Sequence, residues 1–325
     1  MNMRFLIKNL LTLALVSAVS HSFAQDVYPN RPITLIVPSS AGGTTDFTAR
    51  LIAEPLTKAL GQPVVVENKG GASGNIGGQT VAIARPDGYT LLVAYSGYQV
   101  GNPHLFKGLT WDPIKDFVPV AFLTKAPQVI VANPSLPVND LKELIAYAKA
   151  NPGKLNYASS GNGSIQHIAA ELFKQITGTK MAHIPYKGAG PAVQDLMAGQ
   201  VDLFITTPAS VIGQIKGGKL KALAVTSQKR LTSLPNVATT SEQGLKDFNI
   251  DSWFALYAPK GTPESIVKKL NTEVNKILAN PEIQKKAEDS GTFVEQMTPA
   301  QLGTFTKKEF DYWGKVIKNA TITAE

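Results

Sequence analysis

Short apolar runs alternate with stretches of helical periodicity through most of this chain. The run ITLIVP (33–38) predicts a buried strand, DFTARLIAEPLTKAL (46–60) a helix ended by Gly61, and PVVVEN (63–68) the next strand. After KGGASGNIGG, a short helix through QTVAIA leads by the turn RPDG into the strand YTLLVAY (89–95). This is a βαβαβ unit. It predicts a mostly parallel sheet, whose ligands bind outside the carboxyl ends of its strands.

The pattern restarts at residue 127. QVIVAN reads as a strand, NDLKELIAYAKANPG as an amphipathic helix capped by Asn139, and LNYAS (155–159) as a strand. The helix SIQHIAAELFKQITG (164–178), the strand MAHIPY (181–186) and the helix PAVQDLMAG (191–199) follow. VDLFIT (201–206), a short helix from Pro208 and LKALAVT (220–226) complete a second α/β unit. The chain then crosses back through IDSWFALYAP (250–259) and ends in helices, one with Thr262 at its cap and another opened by Thr298 and Pro299. Such a tail is expected to have no strand partners and to cover the first unit. The expected architecture is an α/β fold of two lobes: residues 25–126 with 250–325 form a discontinuous lobe 1, and 127–249 form lobe 2. Two crossing segments then act as a hinge around a cleft that closes on a ligand.

The first 24 residues read differently, as a targeting segment. Arg4 and Lys8 precede an apolar stretch from Leu10 to Val19, and Ser22-Phe23-Ala24 supplies a small-x-small cleavage site. That stretch is shorter than the roughly 20 residues that span a bilayer. Cleavage after Ala24 predicts a soluble periplasmic protein starting at Gln25. Loss of Arg4 and Lys8 takes the net charge from +8 to +6, and the remaining excess is scattered, with no basic stripe interleaved with aromatics. Nucleic acid is therefore not expected as a partner. With no Cys in the chain, disulfides, thiolate metal sites and a lipidated N-terminal cysteine are excluded.

Candidate chemistry concentrates in turns that follow strands. In PSSAGGTTD, Gly42 and Gly43 allow close backbone approach, while Ser39, Ser40, Thr44 and Thr45 bring hydroxyls and Asp46 is expected to cap the helix. Unpaired N–H groups and the positive end of the helix dipole favour an anion there. Pro55 is expected to kink that helix or loosen its last turn. SSGNGSIQH repeats the device with Ser159, Ser160, Gly163, Ser164 and His167, so that two helix starts facing each other would hold a carboxylate between the lobes. Tyr186, Lys187 and Gly188 form a third polar turn, and Thr206 and Thr207 a fourth. Arginine is absent from every one of these turns, which argues against a bidentate clamp. Neutral donors are expected to serve instead: hydrogen bonds to a charged group contribute roughly 1.5 to 3 kcal/mol each, so about four or five would in principle support the approximately −8 kcal/mol of micromolar binding before ordering costs.

Other chemistry is poorly supported. SGNGS is not a nucleophile elbow, and Ser164 with His167 on one helix, even with Asp195 added, lacks the oriented third group of a hydrolase triad. His104, His167 and His183 match no zinc spacing, and GGASGNIGG is not a dinucleotide fingerprint. No cofactor or metal is expected. A secreted hydrolase using Ser164 and a receptor reporting to a sensor kinase are the alternatives to uptake.

The mature chain as a whole resembles the periplasmic solute receptors of tripartite tricarboxylate transporters, the Bug-type receptors. The runs YPNRPITLIVPSSAGGTTDFTAR, LGQPVVVENKGGASGNIGG, ARPDGYTLL, DFVPVA, YASSGNGSIQHIAAELF, HIPYKGAGPAVQDLMAGQVDLF and LKALAVTS carry the resemblance. It implies the class II periplasmic-binding-protein (Venus flytrap) fold, a carboxylate ligand, membrane transporter components as partners, a monomer and no catalysis. It further implies that the turns 39–46 and 159–164 grip one carboxylate through waters and backbone N–H groups. The segment YSGYQVGNPHLF, with Tyr95, Ser96 and Tyr98, is where the family varies with ligand; stacking on Tyr98 would suit an aromatic acid or dicarboxylate such as terephthalate. Trp253 reads either as a third aromatic face or as packing.

Overall fold

The computed structural model describes residues 28–246 and 248–323. Residues 31–325 form one compact unit and residues 1–30 another; in the latter only Tyr28, Pro29 and Asn30 are described, so the targeting segment lies outside the described residues. No helix among the described residues is long and apolar enough to cross a membrane.

Two mixed sheets with helices on their faces make a two-lobed α/β fold. The first sheet begins with β1 (Ile33–Val37), β2 (Val64–Asn68) and β3 (Thr90–Tyr95), with β1 parallel to both others. β1 and β3 are buried on both faces, which is why they read as continuous apolar runs rather than alternating ones. β4 (Phe117–Pro127) and β10 (Asp251–Pro259) add antiparallel, and with β11 (Phe293–Val294) at the edge the order is β11-β4-β10-β3-β1-β2. The sheet is thus parallel only in its first half. β4 has no counterpart among the expected strands, because Pro119 and Pro127 punctuate it and its pairing with β10 is irregular at two places. β11 (Phe293–Val294) pairs with β4, so the C-terminal tail does contribute a strand, one too short to show a period.

The second sheet has the order β7-β6-β8-β5-β9, built from β5 (Val129–Ala132), β6 (Asn156–Ser159), β7 (Ala182–Pro185), β8 (Leu203–Thr206) and β9 (Lys221–Val225). Where the chain passes between sheets, the crossing segments are tied together. Gln128 N–H donates to Thr226 Oγ1 at 2.8 Å, Thr226 Oγ1 donates to Ile250 O at 2.8 Å, and Gln128 Nε2 donates to Ser252 Oγ at 3.0 Å. The strands of this second sheet all fall within residues 129–225, and those of the first lie on either side of that range.

The helices follow the strands in chain order. α1 (Thr44–Leu60) follows β1 and closes at Gly61 in the left-handed region; it runs through Pro55 to Leu60. α2 (Asn75–Ala82) follows β2. A π-helical turn (Gly97–Gly101) and α3 (Asn102–Leu105) follow β3. α4 (Leu141–Ala150) is capped by Asp140, which accepts from Glu143 N, rather than by the expected Asn139; the latter's N–H instead donates to Glu143. α5 (Ile165–Thr177) follows β6, α6 (Ala189–Met197) follows β7, and α7 (Ile212–Lys216) follows a single turn at Pro208–Ser210. The tail holds α8 (Glu264–Leu278), α9 (Pro281–Asp289) and α10 (Pro299–Asn319). α8 has Pro263 at its N-cap, one residue beyond the expected Thr262, whereas Thr298 caps α10 in a reciprocal box with Gln301.

Candidate functional site

The carboxyl ends of β1, β3, β6 and β8 lead into turns that meet between the sheets, and a cavity of ≈ 60 Å³ lies among them. Its lobe 1 wall is Pro38, Ser39, Gly43, Thr44 and Thr45 from the first turn, the loop Gly71–Gly74, Tyr95 and Phe254. Ser160, Gln166, Tyr186, Lys187, Ala189, Thr207 and Ser210 face them from lobe 2. Among the described residues this wall carries no carboxylate, and its one charged residue, Lys187, is an exposed one.

The first turn is built around backbone approach. Gly42 has φ +84°, a conformation that L side chains rarely adopt, and Gly43 packs against Ala189 of the other lobe. Gly43, not Asp46, occupies the N-cap of α1, without a side-chain cap bond. Asp46 reaches back to accept from Gly42 N at 3.2 Å and is paired with Arg50, whose Nε lies 3.1 Å from each carboxylate oxygen. The single acid of this turn is therefore neutralised by an arginine one helical turn further on, and the positive end of α1 is left free for a ligand.

In lobe 2, Ser164 caps α5, its Oγ accepting from His167 N at 3.2 Å. His167 Nδ1 accepts from Gly163 N at 3.2 Å. Ser159 Oγ takes both ends of its own turn, donating to Gly161 O and accepting from Gly161 N at 3.1 Å each, and lies 2.6 Å from His183 Nε2. Ser159, Gly163, Ser164 and His167 thus shape the loop from behind, while Ser160 and Gln166 reach its cavity side. Asp195 accepts from Tyr186 Oη at 2.7 Å; burial and this bond push that phenol up to about 12.

Direct bonds fasten the lobes. Lys187 O accepts from Ser40 N at 3.2 Å and from Ser40 Oγ at 2.8 Å, and Thr44 Oγ1 bonds to Thr207 Oγ1 at 2.5 Å and to Ser210 Oγ at 3.1 Å. Gly188 and Gly190 lie against Ser40 and Ala41, with no room for a Cβ. Ser40, Gly42 and Gly188 therefore belong to the inter-lobe contact rather than to the cavity wall, and Thr206 is buried behind Thr207 in β8. The upper wall is unusual: Gly71, Ala72, Ser73 and Gly74 all have positive φ, including 45° at Ala72 and 55° at Ser73. Two non-glycine residues held there mark a local backbone strain at the cavity. Asn102 Nδ2 anchors the loop, donating to Ser73 O and Asn75 Oδ1 at 2.9 Å each.

The aromatic expectations divide. Tyr95 lines the cavity, and burial pushes its hydroxyl up, so it is a protonated donor. Tyr98 is fully buried and stacked on Trp111 at 4.6 Å, and Ser96 Oγ accepts from Trp253 N at 3.3 Å; neither residue reaches the cavity. Trp253 packs on Phe122 and Phe305 with its indole N–H on Glu309, and its neighbour Phe254 takes the place at the wall. The lining residues not anticipated from sequence are Pro38, Gly71–Gly74, Gln166, Ala189, Ser210 and Phe254. Of these only the glycine-rich run carried a local signal.

Behind the lobe 2 loop, Tyr157, His183 and His167 form a stack, with ring centroids 4.9 Å and 4.1 Å apart. Tyr157 Oη donates to Glu171, which also accepts from Lys174 at 2.7 Å. Burial, reinforced by the neighbouring His167, lowers His183 from 6.5 to about 3, and burial lowers His167 as well. The unfolded chain therefore binds more protons below pH 6.5, and stability is lost as pH falls from there toward 3. His183 alone gives at most about a tenfold drop in the folding constant per pH unit. Glu171 is held below its ordinary value by Lys174 and Tyr157 despite its burial, and adds a loss below 4.5. Equilibrium unfolding across this range should show the slope, and His183→Gln should flatten it; an unchanged slope would place the origin elsewhere.

Residues 48–322 match the tripartite tricarboxylate transporter family receptor. Three solved structures are similar. The periplasmic binding protein BugD is 38% identical with a TM-score of 0.88, over 91% of this chain and 99% of that one. R. palustris Rpa4515, solved with adipate, is 37% identical with a TM-score of 0.89, over 91% and 99%. MatC (Rpa3494) from Rhodopseudomonas palustris, with bound malate, is 36% identical with a TM-score of 0.85, over 89% and 100%. With turns of two lobes converging on one cavity and a family match over most of its length, this chain belongs to the receptors of tripartite tricarboxylate transporters, a family of periplasmic solute-binding proteins with the two-lobed fold.

Proposed function

We propose that this receptor captures a small carboxylate in the cavity between its lobes and delivers it, unchanged, to the membrane components of a tripartite tricarboxylate-type transporter. The observation that carries the reading is the composition of the wall: the hydroxyls of Ser39, Thr44, Thr45, Ser160 and Thr207 with the start of α1, and no acid, the carboxylate of the first turn, Asp46, being paired with Arg50. An anion finds donors there and no repulsion. The residues a hydrolase would need are committed otherwise, Ser164 as a helix cap, His167 in a ring stack and Asp195 on Tyr186. In this reading lobe 1 (25–126 and 250–325) and lobe 2 (127–249) move about the segments joined through Gln128, and the mature protein acts as a monomer in the periplasm after cleavage at Ala24.

A thermal-stability panel of aliphatic, aromatic and tricarboxylic acids tests this. Ligand at 100 times its Kd stabilises a receptor by about 2.7 kcal/mol, which for a chain of this size raises Tm by roughly 4 to 5 °C. At least one carboxylate class should do so; a folded protein that shifts with none of them would refute the reading.

A further inference from the structure

The cavity wall contains two buried polar groups with nothing to bond. Gln166, the second residue of α5, is 7% exposed and lines the cavity, and its Oε1 has no partner. From lobe 1, Ser39 lines the same cavity with a buried Oγ that also has no partner. Buried polar atoms without partners are costly, and in a binding site they mark where a ligand's own groups go.

Their chemistry narrows the ligand. A carboxylate only accepts hydrogen bonds, so it can engage Ser39 Oγ–H, Tyr95 Oη–H and backbone N–H groups, but it leaves the acceptor of Gln166 empty. That acceptor requires a donor on the ligand. A charged ammonium is a poor candidate, since among the described residues no acid lines the cavity to offset its desolvation. A neutral hydroxyl meets both needs, donating to Gln166 Oε1 and accepting from the Gln166 amide or Ser39. At ≈ 60 Å³ the closed cavity has room for a short skeleton.

We propose that Gln166 is a specificity-determining residue that selects a short hydroxycarboxylate over the same acid without its hydroxyl and over the corresponding amino acid. This rests on the reading of the cavity as a carboxylate site. A buried acceptor left empty by the wrong ligand discriminates far more sharply than a change in apolar contact does.

Titration calorimetry with two matched series tests it: succinate, malate and aspartate, then propionate, lactate and alanine. The expected result is that at least one hydroxy acid binds at least tenfold more tightly than its unhydroxylated partner, with the amino acid weakest of the three. Gln166→Leu should bring the hydroxy-to-plain ratio within threefold of one. Gln166→Glu, which keeps the shape and polarity of the side chain, should lower the affinity for both acids and raise the amino acid relative to them. Comparable binding of plain and hydroxy acids by the wild type overturns the proposal while leaving the carboxylate reading standing, as does a preference that survives both substitutions. Absence of binding by both series overturns it as well, and the wider carboxylate panel then decides whether the underlying reading falls too.

Discussion

Gly190→Ala should abolish the thermal shift produced by a carboxylate while leaving each lobe folded. Gly190 lies in the first turn of α6, where alanine is at least as good a helix former as glycine. Within lobe 2 the change is harmless. Across the cleft it is not: an added Cβ would sit 2.3 Å from Ala41 O, a backbone atom of the first turn. That carbonyl cannot swing aside, because Ser40 is bonded to Lys187 on one side and Gly42 to Asp46 on the other. Overpacking of this kind costs about 1 to 3 kcal/mol, and a backbone collision belongs at the upper end, so affinity should fall about 100-fold. Differential scanning fluorimetry with and without ligand separates the two effects. A variant that shifts as the wild type does would show that the lobes do not meet at Ala41 in the bound state.

Gly78→Ala should instead destabilise the protein with or without ligand. Here the added Cβ would lie 1.4 Å from Tyr98 Oη and 2.3 Å from its Cζ. Tyr98 is fully buried and fixed by its stack on Trp111, so neither partner can yield cheaply. The expected cost is about 3 kcal/mol or more, seen as a Tm lowered by roughly 5 °C or more. Tyr98→Phe gives the complementary result. The hydroxyl is buried and has no hydrogen-bond partner, so its removal should be neutral or stabilising by about 1 kcal/mol, without effect on ligand affinity. Weaker carboxylate binding by Tyr98→Phe would return Tyr98 to the cavity.

The two principal turns were legible because their signal is local: glycines and hydroxyls between an apolar strand and an amphipathic helix. Ser39, Gly43, Thr44, Thr45 and Ser160 all reach the cavity wall. Roles that depend on side-chain direction were not legible. Gln166 looks like any polar residue in the first turn of a helix, and only the packing of α5 shows its amide to be buried and unpartnered. Phe254 and Trp253 are neighbours in one apolar run, and strand alternation sends one to the cavity and the other toward α10. Asp46 was misplaced for a similar reason: Gly43 starts the helix earlier than the hydrophobic period does, which moves the acid inside the first turn and onto Arg50. At fold level, β4 was hidden by its prolines and β11 by its length, so a sheet expected to be mostly parallel gained three antiparallel pairings.

In the proposed receptor, neutral donors of two lobes, closing on each other, hold a carboxylate. Titration calorimetry of the most stabilising carboxylate into the wild-type protein and into Gly190→Ala tests this most directly. One saturable site is expected, with a Kd in the micromolar range, about −8 kcal/mol, and binding about 100-fold weaker in the variant. No measurable heat with the wild type, or the same Kd in both proteins, would contradict it.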